Sequence, residues 1–351
     1  MTGRDAATGI GGVPAAGTLG APARTAVSPA AGRVLLSIGD PNGIGPEIAV
    51  RAAAACADDP PVLVGDRCVL EGFAAAEGLA LRDHEPGAPP APGVLDLVDV
   101  AYLPPGEHRP GEVSAEAGDA TIRYVGTAVR LATGGGYRAV VAAPHSETAV
   151  NAAGIAFRGY PPLLARLTGV PEDRVFLLLL GGGLRIVHAT LHQRLADALG
   201  TLTPELVTAA ARALHDALVT LGFEDPRIGV FGINPHAGED GLFGDDDERI
   251  TKPAAADLAA AGLAVTGPAG ADVLLTSDDC DGYVAMYHDQ GHIPVKVRAG
   301  RTSAALTIGA GVPFCSVGHG AAFDIAGRGV ADPAALTQAL RLFAPERTEA
   351  R

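Results

Sequence analysis

Short apolar runs closed by glycine or an acid alternate along this chain with longer segments that carry a helical stripe. "RVLLSIGD" and "PPVLVGD" read as buried strands, as do "LDLVDVAYLP" and "YRAVVAAPHS". "RVFLLLLGGGLRIVHATLH" holds two strand-like runs around a Gly-Gly-Gly turn. In "AGDATIRYVGTAVRLATGG", Ala120, Ile122, Val125, Ala128, Val129 and Leu131 share a helical stripe, and Gly134 to Gly136 end it. "TPELVTAAARALHDALVTLGF" predicts a helix with Thr203 as N-cap and Gly222 near its end. "RIGVFGINPHAGEDG" and "DGYVAMYHDQG" each read as a strand running into a loop. Strands alternating with helices imply α/β layers around a mostly parallel sheet.

Ligands of such sheets bind beyond the carboxyl ends of the strands. The chemically rich stretches fall there: Asp40 to Glu47, Pro144 to Glu147, His188 to His192, Asn234 to Glu239 and His288 to Lys296. "GDPNGIGPEIAV" is a glycine loop opening a helix, an arrangement that aims backbone N–H groups at a ligand.

Length and composition narrow the class. The 351 residues are 48% apolar, enough for one large or two ordinary domains. A net charge of −14 repels phosphate backbones and anionic lipid, which argues against nucleic acid and membrane partners. Cys56, Cys68, Cys280 and Cys315 form no CxxC pair, as expected of a reduced, cytoplasmic chain. No apolar stretch approaches the roughly 18–20 residues of a bilayer span. Residues 1–32, rich in Ala, Gly and Pro, read as a disordered tail.

Three histidines follow strand-like runs: His192, His236 and His288. Each alone is more often a polar residue satisfied at a strand end; three at equivalent places suit a catalytic divalent ion with open positions. His188 and His292 stand four residues from His192 and His288, but their segments read as non-helical, so both are assigned an outer or passive place. Asp272 and Asp289 are candidates to orient an imidazole or hold a proton, against a solvated turn. Lys296 is a proton donor or carboxylate binder, against a surface lysine. Asp245 to Glu248 reads as a solvated turn before a helix, since EF-hand spacing is missing. "GHGAAFDIAGRGVADP" carries many glycines and one aspartate, Asp324, that reads as buried and able to accept from a ribose or adenine.

At these residues the chain resembles the 4-hydroxythreonine-4-phosphate dehydrogenase family, pyridoxal phosphate biosynthetic enzymes related to isopropylmalate and isocitrate dehydrogenases. "GDPNGIGPEI" is similar to the family's "GDPAGIGPE", and "NAAGIAFRGYPPLLARLTG", "NPHAGEDGLFGDDDE", "MYHDQG" and "HGAAFDIAGRGVADP" match further blocks in order. The resemblance implies an isopropylmalate-dehydrogenase-like two-domain α/β fold with an interdomain active-site cleft. A nucleotide-side domain would take residues 33–140 plus 300–351, and a metal and dimerisation domain residues 141–299. It also implies a homodimer with a shared active site, NAD or NADP as cofactor, and one divalent ion (Zn, Mg or Co).

By position, His192 and His236 would bind that ion together with His288 of the partner subunit. Lys296, Asp272 and Asp289 would serve catalysis. Gly43, Gly45, His319, Gly320, Asp324, Ile325 and Asp332 would bind the nucleotide. The implied chemistry is oxidation of a metal-held hydroxyl, hydride transfer to nicotinamide, and loss of CO₂ from the resulting β-keto acid.

The departures bear on substrate. The family's His-Thr pair is Tyr160-Pro161, its lysine is Glu147, its asparagine before "TLG" is Ala305, and an arginine after "PF" gives way to Ser316. Each lost charged hydrogen bond to phosphate is worth about 1.5–3 kcal/mol. The expectation is therefore a dehydrogenase, with or without decarboxylation, of a non-phosphorylated hydroxy acid or a dihydrodiol carboxylate. Turnover of 4-phosphohydroxythreonine, or a catalytically silent dimeric binding protein, are the alternatives.

Overall fold

The computed structural model describes residues 32–277, 279–299 and 303–344; the tail read at 1–32 lies, apart from Gly32, outside them. Its first strands are β1 (Arg33–Ser37), β2 (Val62–Gly65), β3 (Ala80–Asp83), β4 (Val94–Asp99), β5 (Tyr137–Ala142) and β6 (Phe176–Gly181). Six more follow: β7 (Leu184–His188), β8 (Ile228–Phe231), β9 (Val265–Ala269), β10 (Gly282–Ala285), β11 (Ala304–Ile308) and β12 (Phe314–Ser316). They form one sheet in the order β3-β4-β2-β1-β5-β12-β11-β6-β7-β10-β8-β9. Strands β1, β2, β7, β8 and β10 are buried almost throughout, as expected of strands covered on both faces.

Pairing is parallel except at three adjacent junctions, β12–β11, β11–β6 and β6–β7. Three reversals in a row leave β7, β10, β8 and β9 running opposite to β1, β5 and β12. The single row of strand ends expected from the sequence is thus two rows pointing in opposite directions.

Helices flank the sheet where the periodicity placed them. Ala115–Thr133 starts at Ser114, whose side chain accepts from the Ala117 amide, and Pro204–Thr220 starts at Thr203, which accepts from Leu206. Three expectations need correction. Residues His288–Ala299 are a helix rather than a loop: Gly291 and Pro294 look like breakers, but packing of Gly291 and Val295 onto the sheet overrides them. Asp247 is fully buried rather than solvated. Asp324 is exposed rather than buried, because its segment is a surface turn.

Candidate active site

The histidine helix is seated at its first turn by Gln290. Its Oε1 accepts from the Met286 amide (2.7 Å), and its Nε2 donates to the Gly232 carbonyl in the loop after β8 (2.8 Å). His288 and His292 are one turn apart with rings stacked at 3.8 Å and 13°. His192, on the exposed loop after β7, brings its ring to 5.6 Å from that of His288. His288 Nδ1 donates to the adjacent Asp289 carboxylate (2.6 Å), the role expected of Asp289. Lys296, one turn beyond His292, donates to Ser303 Oγ (2.6 Å). Asp272 opens the short helix Ala271–Ser277 and is exposed; among the described residues no hydrogen bond joins it to the histidines.

Burial favours the neutral form of His188, His192 and His292. His188 is pushed down to about 3, chiefly by burial and then by His292; His292 falls to about 4, by burial and then His288. His192 is lowered by burial and by His288, with the Glu147 carboxylate opposing. Glu147 opens the helix Glu147–Ala152 that follows β5.

His236 sits on a strained loop. His236 and Ala237 both have φ of 54°, unusual for residues with a Cβ. The buried Asp247 carboxylate clasps this loop, accepting from the amides of Ile233 (2.8 Å) and Asn234 (2.9 Å) and from Thr251 Oγ1 (2.6 Å). His236 itself is exposed, and its ring lies 6.0 Å from that of Phe243. Imidazole donors of this kind suit a borderline divalent ion. Among the described residues, one chain does not converge three such side chains into a cage.

The two candidate nucleotide stretches are joined. The Ile44 amide donates to the Ala321 carbonyl (2.8 Å), and a Cβ at Gly43 would meet Ala321 Cβ at 2.7 Å, so glycine permits the close approach. Gly45 likewise faces the Ile38 carbonyl. Buried Glu47 accepts from the amides of Ala331 (2.9 Å) and Gly329 (3.3 Å), while Arg51 bonds both of those carbonyls and Glu47 itself. Along this stretch Gly320 and Asp324 are exposed, and His319 Nδ1 lies 3.3 Å from the Gly320 carbonyl. Ile325 packs on the core, and Asp332 accepts from the Ala334 amide, a helix-capping contact.

Asp40 links the two loops at the end of β1. Its amide donates to the Pro144 carbonyl, its Oδ1 accepts from the Asn42 amide, and its buried Oδ2 has no partner among the described residues. Burial raises its pKa from 3.8 to about 6, against the lowering effect of the Asn42 and Gly43 amides. A raised folded value means stability present below about 3.8 and lost as pH rises through about 6. Asp40→Asn is therefore expected to stabilise the protein at pH ~8 by about 2–3 kcal/mol and to leave it unchanged near pH ~4. Urea denaturation at the two pH values measures this; equal effects at both would show that the buried charge carries no penalty.

One altered position, Tyr160, sits in an aromatic cluster. Tyr160 opens the helix Tyr160–Thr168 and is buried, with ring contacts to His145 (4.8 Å), Phe157 (5.6 Å) and Phe314 (4.6 Å). Its hydroxyl has no hydrogen-bond partner among the described residues. Pro161 follows it in the helix, and Ser316 on β12 pairs with Ala305, so two of the departures are neighbours. Sequence reasoning missed His145, and it missed the His188–His292 contact because HxxxH spacing carries weight only on a helix.

A family model described as pyridoxal phosphate biosynthetic protein PdxA matches residues 57–343. The chain is 46% identical to a 1,2-dihydroxy-3,5-cyclohexadiene-1,4-dicarboxylate dehydrogenase of Comamonas sp., over 89% of this chain and 96% of that one. It is 42% identical to a D-threonate 4-phosphate dehydrogenase of Cupriavidus necator, over 87% and 94% of the two chains. The solved structure of a terephthalate 1,2-cis-dihydrodiol dehydrogenase from Burkholderia xenovorans superposes with a TM-score of 0.76 at 56% identity, over 89% and 97%.

Proposed function

Because the chain belongs to the PdxA family, we propose that it is an NAD(P)- and divalent-metal-dependent dehydrogenase of a cyclohexadiene cis-dihydrodiol dicarboxylate. The observation that carries this reading is Tyr160, packed among His145, Phe157 and Phe314, together with Glu147, at two positions where the resemblance puts substrate-binding groups of the family. Tyr160-Pro161 and Glu147 in place of the family's His-Thr pair and lysine take away charged contacts to a phosphate, and aromatic side chains suit an unsaturated six-membered ring.

The chemistry follows from the substrate class. Its C2 hydroxyl lies β to the C1 carboxylate, so oxidation at C2 gives a β-keto acid. Loss of CO₂ from C1 then leaves a dienol that is an aromatic catechol carboxylate. Hydride leaves to the nicotinamide and the hydroxyl proton is balanced by the one the dienol gains, with no net proton.

His192, His236 and His288 are the residues to hold the metal, and a shared site between two copies would complete the set. Exposed apolar side chains around these loops, Leu242, Phe243, Val273, Ile293 and Val297, support that dimer. When bound, the ion would polarise the hydroxyl and the carbonyl it becomes. Asp289 keeps His288 oriented with Nε2 bare. Lys296 would bind a carboxylate and return a proton to the enolate oxygen at C2 after CO₂ leaves, which gives the catechol directly. Gly43, Gly45 and the stretch from His319 to Asp332 would cradle the dinucleotide, whose nicotinamide supplies the hydride acceptor. No helix among the described residues is long and apolar enough to cross a membrane.

Purified protein given Zn²⁺, Mg²⁺ or Co²⁺ is expected to reduce NAD⁺ or NADP⁺ with the dihydrodiol dicarboxylate. Its kcat/KM should exceed that for 4-phosphohydroxythreonine by at least about 100-fold, the effect of losing two charged contacts. Preference for the phosphorylated substrate, or no nicotinamide reduction with either, overturns the assignment.

A further inference from the structure

His188 ends β7 with only 1% of its surface exposed, outside the three histidines expected at the metal. Its Nδ1 faces the Leu177 carbonyl of β6 at 3.2 Å, and a carbonyl can only accept, so the proton resides on Nδ1. A buried imidazole with no carboxylate hydrogen-bonded to it among the described residues is neutral, and its Nε2 keeps a lone pair. That Nε2 lies 2.9 Å from His292 Nδ1, so His292 donates there and its ring is held in place. Gly291 permits the approach, since a Cβ there would lie 2.4 Å from His188 Nε2. His292 in turn lies flat against His288, with ring centroids 3.8 Å apart and planes 13° from parallel. In that arrangement the in-plane lone pairs of the two rings run side by side, so they do not aim at one ion. What His292 can do is act on His288 itself.

His288 needs such a support. The torsion that turns an imidazole about its Cβ–Cγ bond has broad wells, and the one side chain that hydrogen-bonds His288, Asp289, is 71% exposed. An exposed pair of this kind holds geometry only weakly. We propose that His292 is a positioning residue whose ring is a flat stop for His288, keeping the His288 Nε2 aimed at the cation. His188 and the Leu177 carbonyl hold that stop, so the contacts run from β6 through β7 to the histidine helix. The proposal rests on the cation reading given above and deepens it: one donor is arranged before the ion arrives, which lowers the ordering cost of binding.

The test compares His292→Phe, which keeps a flat ring, with His292→Leu, which does not. Both leave His188 without its partner, so the difference between them reads the ring alone. Zn²⁺ binding to the full-length, chelator-stripped protein is followed by calorimetry, and urea denaturation checks that each variant is folded. His292→Leu is expected to weaken Zn²⁺ by about 10-fold and His292→Phe by less than about threefold. Carbon-13-labelled histidine spectra of the metal-free protein give a readout independent of the ion. The neighbouring ring should shift the His288 ring protons upfield in the parent and in His292→Phe, and the shift should vanish in His292→Leu. A role in filling space alone predicts equal affinities for the two variants. Equal affinities overturn the proposal, as does a parent protein without the upfield shift. If His288→Ala still weakens Zn²⁺ in either case, the cation reading stands while the flat stop falls. If the unaltered protein binds no Zn²⁺, both readings fall.

Discussion

Replacing His288 with alanine is expected to lower kcat/KM by about three orders of magnitude while leaving the urea midpoint nearly unchanged. The asymmetry follows from position. The His288 side chain is 38% exposed, so truncation removes little buried area. Chemically it sits between His192 and His292 with its tautomer set by Asp289, the one imidazole in ring contact with both. Removing a ligand forfeits several kcal/mol of charge stabilisation in the transition state, and each 1.36 kcal/mol is about tenfold in rate. His215→Ala, on the helix Pro204–Thr220, should keep full activity and serves as the control. A His288→Ala enzyme within about tenfold of the parent would remove the metal assignment from this helix.

Asp247→Ala is expected to have the opposite signature first, a loss of about 3 kcal/mol in stability, and a loss of activity with it. The carboxylate is fully buried and accepts from two backbone amides and a hydroxyl. Truncation strands all three donors in the interior, each with a desolvation cost of about 1–3 kcal/mol. Those contacts also hold the loop in which His236 and Ala237 keep positive φ. With the clasp gone the loop is free to relax, and kcat should fall even at temperatures where the fold survives. Urea denaturation and initial rates on the same preparation test both halves; a stable Asp247→Ala protein with parental kcat contradicts the clasp.

Much of this was legible in the chain because local pattern and tertiary demand agreed. The stripe from Ala120 to Leu131 and the cap at Thr203 are set by nearby residues, and the structure keeps them. β3, β9, β11 and β12 were not read: β3 and β9 are the edges of the sheet and hold no fully buried residue, and β12 spans three residues. The direction reversal at β11 and β6 is a long-range pairing that no local pattern encodes. Asp247 and the histidine helix failed for a shared reason. An acidic run beside glycines is ordinarily wet, and a Gly-His-Ile-Pro run is ordinarily a breaker; each is reversed by what packs against it.

The unbroken pairing from β3 to β9 constrains how the two halves of the molecule can move. The strands that join them, β12, β11 and β6, are themselves hydrogen-bonded ladder members. Closure over a ligand would have to come from winding or unwinding the ribbon as a torsion spring. Side chains along those three strands would then set its stiffness, far from any reacting atom.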